Sequence, residues 1–390
     1  IIHGGVSEAS LDNVIAEVEH NDRICQINLY FYTTLQIDKL WKAMQVPFPE
    51  LTFLYLSFGT SSYAPGLPDS FLGGSAPRLR LLALTSIPFP GLPKLLLFAT
   101  HLVCLWLMNI PHSGYISPEA TATCLSGLTS LEELYFQFES PQSFPDEEGR
   151  RSPPPTRSVL PALTGFSFKG VNEYLEELVA RIDTPRLHRL SATFFYDIDF
   201  NTPELIRLVS HSSIFKAPNE AHVFFDNRTA SVKLQPQAPN IEYFHVEISC
   251  REPNQQLASV AEICTTFLPL FSTTENLFIY EPVHSPLHWK DGIENIEWLE
   301  LLLPFAAVKN LYVSKQFAPR IAPALQEMIG GGTIEVLTAL QNLYLEGFQP
   351  SESVEEGIER FSSARRLTNH PVAISLWDRD IVGGQVGGDR

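Results

Sequence analysis

One order of residues recurs along the whole chain: an apolar residue, two others, an apolar residue, one other, and an apolar residue. It is most regular as Leu79-x-x-Leu82-x-Leu84, Leu102-x-x-Leu105-x-Leu107 and Leu340-x-x-Leu343-x-Leu345. Looser copies run from Ile24 to Leu29, Leu51 to Leu56, Leu131 to Phe136, Leu163 to Phe168 and Leu187 to Ala192. Others run from Ile241 to Val246, Thr274 to Ile279 and Val308 to Val313. Successive copies start 23 to 34 residues apart, except for one gap of 54 between Leu187 and Ile241. That gap is two turns of 27, and the segment Ala221–Phe225 (AHVFF) is expected to supply a degenerate strand inside it. A unit this short cannot bury its own leucines. It buries them against the unit before and the unit after, so the spacing predicts a stack of similar coils.

The pattern settles the reading of the longest apolar run, LPKLLLFATHLVCLWLMNI at residues 92–110. A membrane span would carry no Lys94, His101 or Asn109, would not place Pro93 in its first turn, and would have cationic flanks. The run reads instead as a returning segment followed by one core strand of the stack.

This is the leucine-rich-repeat pattern, in which a short strand turns its fourth and sixth residues inward and the chain returns on the outside. The segments between strands carry helix signals. Ser117 and Pro118 open one helix, and Thr202, Pro203 and Glu204 open another. NEYLEELVARI, LASVAEICTTFL, IEWLELLLPFA and IAPALQEMI place apolar residues at helical spacing. The expected fold is an α/β leucine-rich-repeat solenoid, an irregular horseshoe with parallel strands on the concave face and helices on the convex face. About twelve turns would fill residues 1–377, with a Pro-rich loop at 139–161 and a disordered tail at 378–390. Regular repeats carry Asn or Cys eight residues after the first leucine to hold the next turn. Here Ile87, Ile110, Val171, Phe195 and Phe348 occupy that place, so the usual asparagine ladder is missing.

Composition narrows the partners. The chain has 27 Lys plus Arg against 44 Asp plus Glu, a formal net charge of -17. Such a surface repels phosphate backbones and anionic headgroups, so neither nucleic acid nor membrane is expected as a partner. Cys25, Cys104, Cys124, Cys250 and Cys264 are odd in number and show no CxxC spacing, which points to a reducing compartment, cytoplasm or nucleus. Asn227-Arg228-Thr229 is a formal glycosylation acceptor with no other secretory signal beside it. The chain starts at Ile1 without a signal-peptide pattern, and we expect it to be a piece of a longer protein.

No phosphate-binding loop, dinucleotide fingerprint, zinc-protease motif, nucleophile elbow or EF-hand spacing occurs. Gly330-Gly331-Gly332 lacks the lysine that would hold a phosphate. Asp197-Ile198-Asp199 is the nearest approach to a metal-binding pair, and no further ligand follows it at a suitable spacing, so it reads as a polar loop. The expectation is a chain with no catalytic centre, cofactor or metal.

The strands themselves point to a binding role. With the fourth and sixth positions inward, the third, fifth and seventh line the concave face. The fifth positions are Asn28, Tyr55, Ala83, Trp106, Tyr135, Ser167, Ser191, His245, Phe278, Tyr312 and Tyr344. Six of these are aromatic, where the chain's 11% aromatic content predicts roughly one. Tyr and Trp dominate protein–protein contacts, so Tyr55, Trp106, Tyr135, Phe278, Tyr312 and Tyr344 are the candidate residues for a protein target.

Several longer stretches are more specific than any generic repeat: SLDNVIAEVEHNDRICQINL, MQVPFPELTFLYLS, LPDSFLGGSAPRLRLLAL with IPFPGLPKLLL, NIPHSGYISPEA and YLEELVARIDTPRL. They resemble the F-box-like, leucine-rich-repeat protein family of mushroom-forming fungi (basidiomycetes), nearly to the end of AISLWD. The resemblance implies a substrate receptor of a Skp–cullin–F-box ubiquitin ligase, in which an F-box holds the adaptor and the repeats hold the target. An F-box segment of the LPxEIL kind is absent from these 390 residues, so adaptor contact is expected only through a part outside them. The alternative is a stand-alone repeat scaffold or inhibitor with no ubiquitin role.

The stretch Glu139–Pro161 is rich in Pro, Ser and charge and breaks both periodicities, which predicts a mobile loop between two repeats. Limited trypsin digestion should therefore cut first after Arg150 or Arg151. Mass spectrometry of the earliest fragments checks this; first cuts inside the repeats would contradict it.

Overall fold

A computed structural model describes residues 1–59, 65–141, 156–195, 202–211, 218–236, 243–250, 253–282, 295–327, 336–347, 352–367 and 369–378. The chain divides into two compact units, Ile1–Phe195 with Thr202–Ser212, and Tyr196–Asn201 with Ser213–Arg390. Arg150, Arg151 and residues 379–390 lie outside the described residues.

In the first unit, most strands are followed by a helix. The order is β1 (Ile2–Val6), α1 (Glu8–Val18), β2 (Gln26–Phe31), α2 (Ile37–Ala43), β3 (Phe53–Phe58), β4 (Leu81–Thr85), α3 (Leu92–Leu96) and β5 (Cys104–Ile110). There follow α4 (Pro118–Leu125), β6 (Glu133–Phe138), β7 (Ser158–Val159), β8 (Gly165–Gly170), α5 (Asn172–Val179), β9 (Ile182–Asp183), β10 (Arg189–Phe195) and α6 (Pro203–His211). The main sheet runs β1-β2-β3-β4-β5-β6-β8-β10 with every neighbouring pair parallel. Helices pack on one another in chain order, α1 on α2 and α3 through α6 in series. The apolar run at 92–110 is split between α3 and β5, and no helix among the described residues is long and apolar enough to cross a membrane.

The repeat register is the one the leucines indicate. Leu54, Leu82, Leu105, Leu134, Phe166 and Leu190 lie side by side across six strands, and each is at most 2% exposed. With no asparagine at the usual place, backbone groups join the coils. The carbonyl of the second residue in each repeat accepts two successive N–H groups from the next coil. Cys25 O takes Thr52 and Phe53, Thr52 O takes Arg80 and Leu81, and Arg80 O takes Val103 and Cys104. The same arrangement continues through Val103, Glu132 and Thr164, all at 2.8–3.3 Å.

Helix starts follow the sequence signals with one change. Ser117 Oγ accepts the Ala120 N–H at 3.2 Å, as its position before Pro118 predicts. Thr202 Oγ1, expected to cap α6, has no hydrogen-bond partner among the described residues. The Glu176 carboxylate of α5 does that work instead, accepting the N–H groups of Glu204 and of Leu205, the latter at 3.1 Å. A carboxylate at the positive end of a helix outcompetes a hydroxyl for the same donors. The Pro-rich stretch is anchored at its end: β7 pairs parallel with β9, and Leu160 is fully buried.

The second unit contains β11 (Glu220–Phe225), β12 (Thr229–Gln235), β13 (Tyr243–Ser249), α7 (Pro253–Thr266), α8 (Leu268–Phe271) and β14 (Asn276–Tyr280). It continues with α9 (Asn295–Leu302), β15 (Asn310–Val313), α10 (Ala318–Glu327), β16 (Asn342–Glu346), α11 (Glu352–Leu367) and β17 (Ala373–Trp377). The strand expected at AHVFF exists as β11, but it is not a plain extra turn. β11 and β12 form an antiparallel hairpin, and the spatial order is β13-β12-β11-β14-β15-β16-β17. β12 thus runs against both neighbours, whereas β11 and β14 to β17 are parallel. The turn is polar and tight: Asp226 N–H donates to Thr229 O at 2.8 Å, and Asp226 Oδ1 accepts the Asn227 N–H at 2.7 Å. A short polar loop of Asp226, Asn227 and Arg228 closes the hairpin, since Asp and Asn favour turns, which explains why the chain doubles back here.

Two outcomes follow from this packing. Leu105 is 1% exposed between adjacent coils, so Leu105→Asp should cost roughly 3–5 kcal/mol by burying an unpaired carboxylate; a urea titration checks it. The second outcome concerns His245, opposite Lys233 on β12. Burial, and then the Lys233 ammonium, push its pKa down to about 4 from the ordinary 6.5. The unfolded chain therefore takes up this proton at higher pH than the folded one. The contribution is intact above the ordinary value and is lost as pH falls toward about 4. His245→Gln should flatten that part of the stability–pH profile, measured by urea unfolding across the same window.

Candidate functional site

The candidate aromatic residues all lie at one register position of their strands, on the face away from the buried leucines. In the first unit that row reads His3, Asn28, Tyr55, Ala83, Trp106, Tyr135, Ser167 and Ser191. Trp106 and Tyr135 meet edge-on, centroids 5.4 Å apart at 64°. Tyr55 is separated from them by fully buried Ala83 and instead leans on Tyr30, at 5.3 Å and 43°. Tyr30 is 40% exposed, and Tyr55, Trp106 and Tyr135 are half-buried. The row next to it carries a structural ion pair. Arg189 reaches across Gly165 to Glu133 at 2.6 Å, and a Cβ on Gly165 would lie 2.9 Å from its guanidinium. A side chain there would displace the guanidinium, so glycine leaves the room that this ion pair occupies.

In the second unit the corresponding row is His245, Lys233, His222, Phe278, Tyr312, Tyr344 and Ser375. Four rings on adjacent strands stack nearly parallel. His222 and Phe278 are 4.5 Å apart at 4°, Phe278 and Tyr312 4.3 Å at 10°, and Tyr312 and Tyr344 4.4 Å at 6°. Strand spacing of about 4.8 Å brings like-placed rings to stacking distance without further adjustment. Burial raises the Tyr312 phenol above its ordinary range, with the Tyr344 and Glu220 charges adding to it.

Three features of this face were not foreseen from sequence. His222 joins the stack from the hairpin. Trp377, on the outermost strand β17, is only 7% exposed and lies 5.5 Å from the Tyr312 ring and 6.0 Å from the Phe278 ring. With Phe278 itself 5% exposed, the middle of the row is covered by the chain's own indole. The third feature is an asparagine ladder at the third repeat position, alongside the rings. Asn342 Nδ2 donates to Asn310 Oδ1, and Asn310 Nδ2 to Asn276 Oδ1, both at 2.7 Å, and Asn276 Nδ2 reaches Asn219 O at 3.5 Å. Asparagine at the same place in three consecutive repeats was the available signal for it.

Electrostatically the second face is mildly acidic, with Glu220, Glu247 and Glu346 against Lys233, whose ammonium sits 5.0 Å from the Tyr243 ring centre. No group of His, Cys, Asp or Glu among the described residues could hold a metal ion. What this arrangement offers chemically is area, ring edges and amide and carboxylate acceptors.

No protein-family model matches the chain, and no curated protein sequence matches it. Among solved structures the chain is similar to the leucine-rich repeat-containing protein LegL7 from Legionella pneumophila. The identity is 12% over 93% of this chain and 98% of that one, with a TM-score of 0.31.

Proposed function

We propose that this chain is a protein-binding repeat domain whose helix-free strand faces hold the partner. We further propose that it is the target-recognising part of an F-box subunit of a Skp–cullin–F-box ubiquitin ligase. The observation that carries the binding role is the register itself. Rings recur at the fifth position of the strands, the middle one on the face away from the leucine core, in both units. Half-buried Trp106 and Tyr135 in the first unit, and the stacked rings beside the amide ladder in the second, supply the large, stiff, amphipathic contacts on which protein interfaces rest. The ligase half of the proposal is supported by the stretches resembling the F-box-like family. No residue of these 390 is assigned to the adaptor.

The test is affinity capture of the full-length protein from its own cells, comparing wild type with Tyr312→Ala/Tyr344→Ala. The double change removes ring contacts worth about 0.5–1.5 kcal/mol each, which leaves the unit folded by circular dichroism. The expected result is loss of the captured target. Capture that survives with folding intact overturns the binding face, and a target recovered without adaptor or cullin overturns the ligase role.

A further inference from the structure

Both side-chain rows of the second unit stop at the same strand. The ring row ends at Tyr344, and its next register position holds Ser375. The asparagine ladder ends at Asn342, and its next position holds Ala373. On β17 the two columns therefore carry small, exposed residues where a ring and an amide would have continued them. The indole of Trp377 does not fill the space, since it leans back to Tyr312 and Phe278, two and three strands away.

The groups left at this end share one property. Every ladder amide donates away from β17, so the terminal Asn342 Oδ1 faces outward as an acceptor, and no donor among the described residues reaches it. A chain of amides polarises its end group, which makes that oxygen a better acceptor than an isolated amide. Two residues along β16 lies Tyr344, whose inner face is taken by Tyr312 and whose outer face is not covered by a ring from Ser375. Two residues further is Glu346, whose carboxylate already accepts the Lys315 N–H at 3.2 Å. Acceptor, π-face and carboxylate thus stand in line on one strand.

We propose that this end of the face is a subsite for an arginine side chain of the protein partner, resting on the binding reading above. A guanidinium is planar, carries five donors and no acceptor, and stacks on an aromatic face. Set on Tyr344 over Ser375, it continues the ring row, while its N–H groups meet Asn342 Oδ1; the Glu346 carboxylate, two residues beyond Tyr344 on the same strand, adds charge attraction without a direct bond. Lysine has the charge but not the plane. The net charge of -17 favours a basic segment at long range.

The experiment measures binding of fluorescent hexa-arginine and hexa-lysine peptides to the intact chain and to Ser375→Phe. The substitution supplies a fifth ring and occupies the space from within. Expected is hexa-arginine binding tighter than hexa-lysine by about threefold or more, with the preference gone in Ser375→Phe and the melting temperature held or raised. Glu346→Gln, which changes charge without bulk, should weaken hexa-arginine and stands in if Ser375→Phe does not fold. Equal affinity for the two peptides, or a preference unchanged by either substitution, overturns the subsite. Should Ser375→Phe still capture the cellular target that Tyr312→Ala/Tyr344→Ala loses, the subsite fails while the binding face stands. If the double variant also keeps its target, the face itself is wrong.

Discussion

Along the parallel runs, coil after coil is fixed to the next by a carbonyl that accepts two hydrogen bonds, and much of the fold is organised around that contact. In the first unit it runs from Cys25 through Thr164, and in the second from Asn219 through Glu275 and Lys309 to the N–H groups of Gln341 and Asn342. Because donor and acceptor are both backbone, the contact sets the phase of the strands it joins without asking for a particular side chain. Once the phase is set, alternate residues must face alternately. Leucines then meet leucines on the inside, and on the other face whatever occupies the fifth position meets its counterpart one strand away. The variable length of the returning segments is tolerated because they are joined to a strand entry that is the same each time.

How much of this was legible depends on which atoms carry it. The parallel strands with leucine at positions one, four and six could be read because burial demands apolar residues at those places. β1 and β17 escaped notice for local reasons. Gly4 sits where β1 should show its second inward leucine, and Pro371 stands at the first position of the last repeat. The hairpin had its signal in the polar Asp226-Asn227-Arg228-Thr229 turn between two alternating segments, but a period of twice 27 hid it. The candidate site was readable as a column of residues and not as a geometry. Stacking distance follows from strand spacing, whereas the course of Trp377 across two strands and the reach of Glu176 to α6 are tertiary choices that no spacing encodes.

The two faces use the same register differently. In the first unit, Ala83, Ser167 and Ser191 interrupt the column, so Trp106 and Tyr135 meet edge-on and Tyr55 leans on Tyr30 from the next row. In the second unit nothing interrupts His222 to Tyr344, and the rings spend their faces on one another. A partner there meets edges, hydroxyls and the row's end. Uninterrupted aromatic columns therefore rigidify a face and simultaneously restrict where on it a planar group can be received.

The hairpin in the second unit also changes how that unit can assemble. In an ordinary repeat stack each coil docks on the one just made, so the array grows or frays from its ends. Here β14 pairs with β11 rather than with β13, joining Glu220 to Asn276 across two intervening strands of chain. Helix α7, which follows β13, packs on β12 and on α9. A contact of such sequence separation must wait for the loop between its ends to close, which slows folding. The hairpin turns what would be a row of near-independent coils into a block with a single closing step, and damage at its centre is felt by the whole block rather than by one terminal turn.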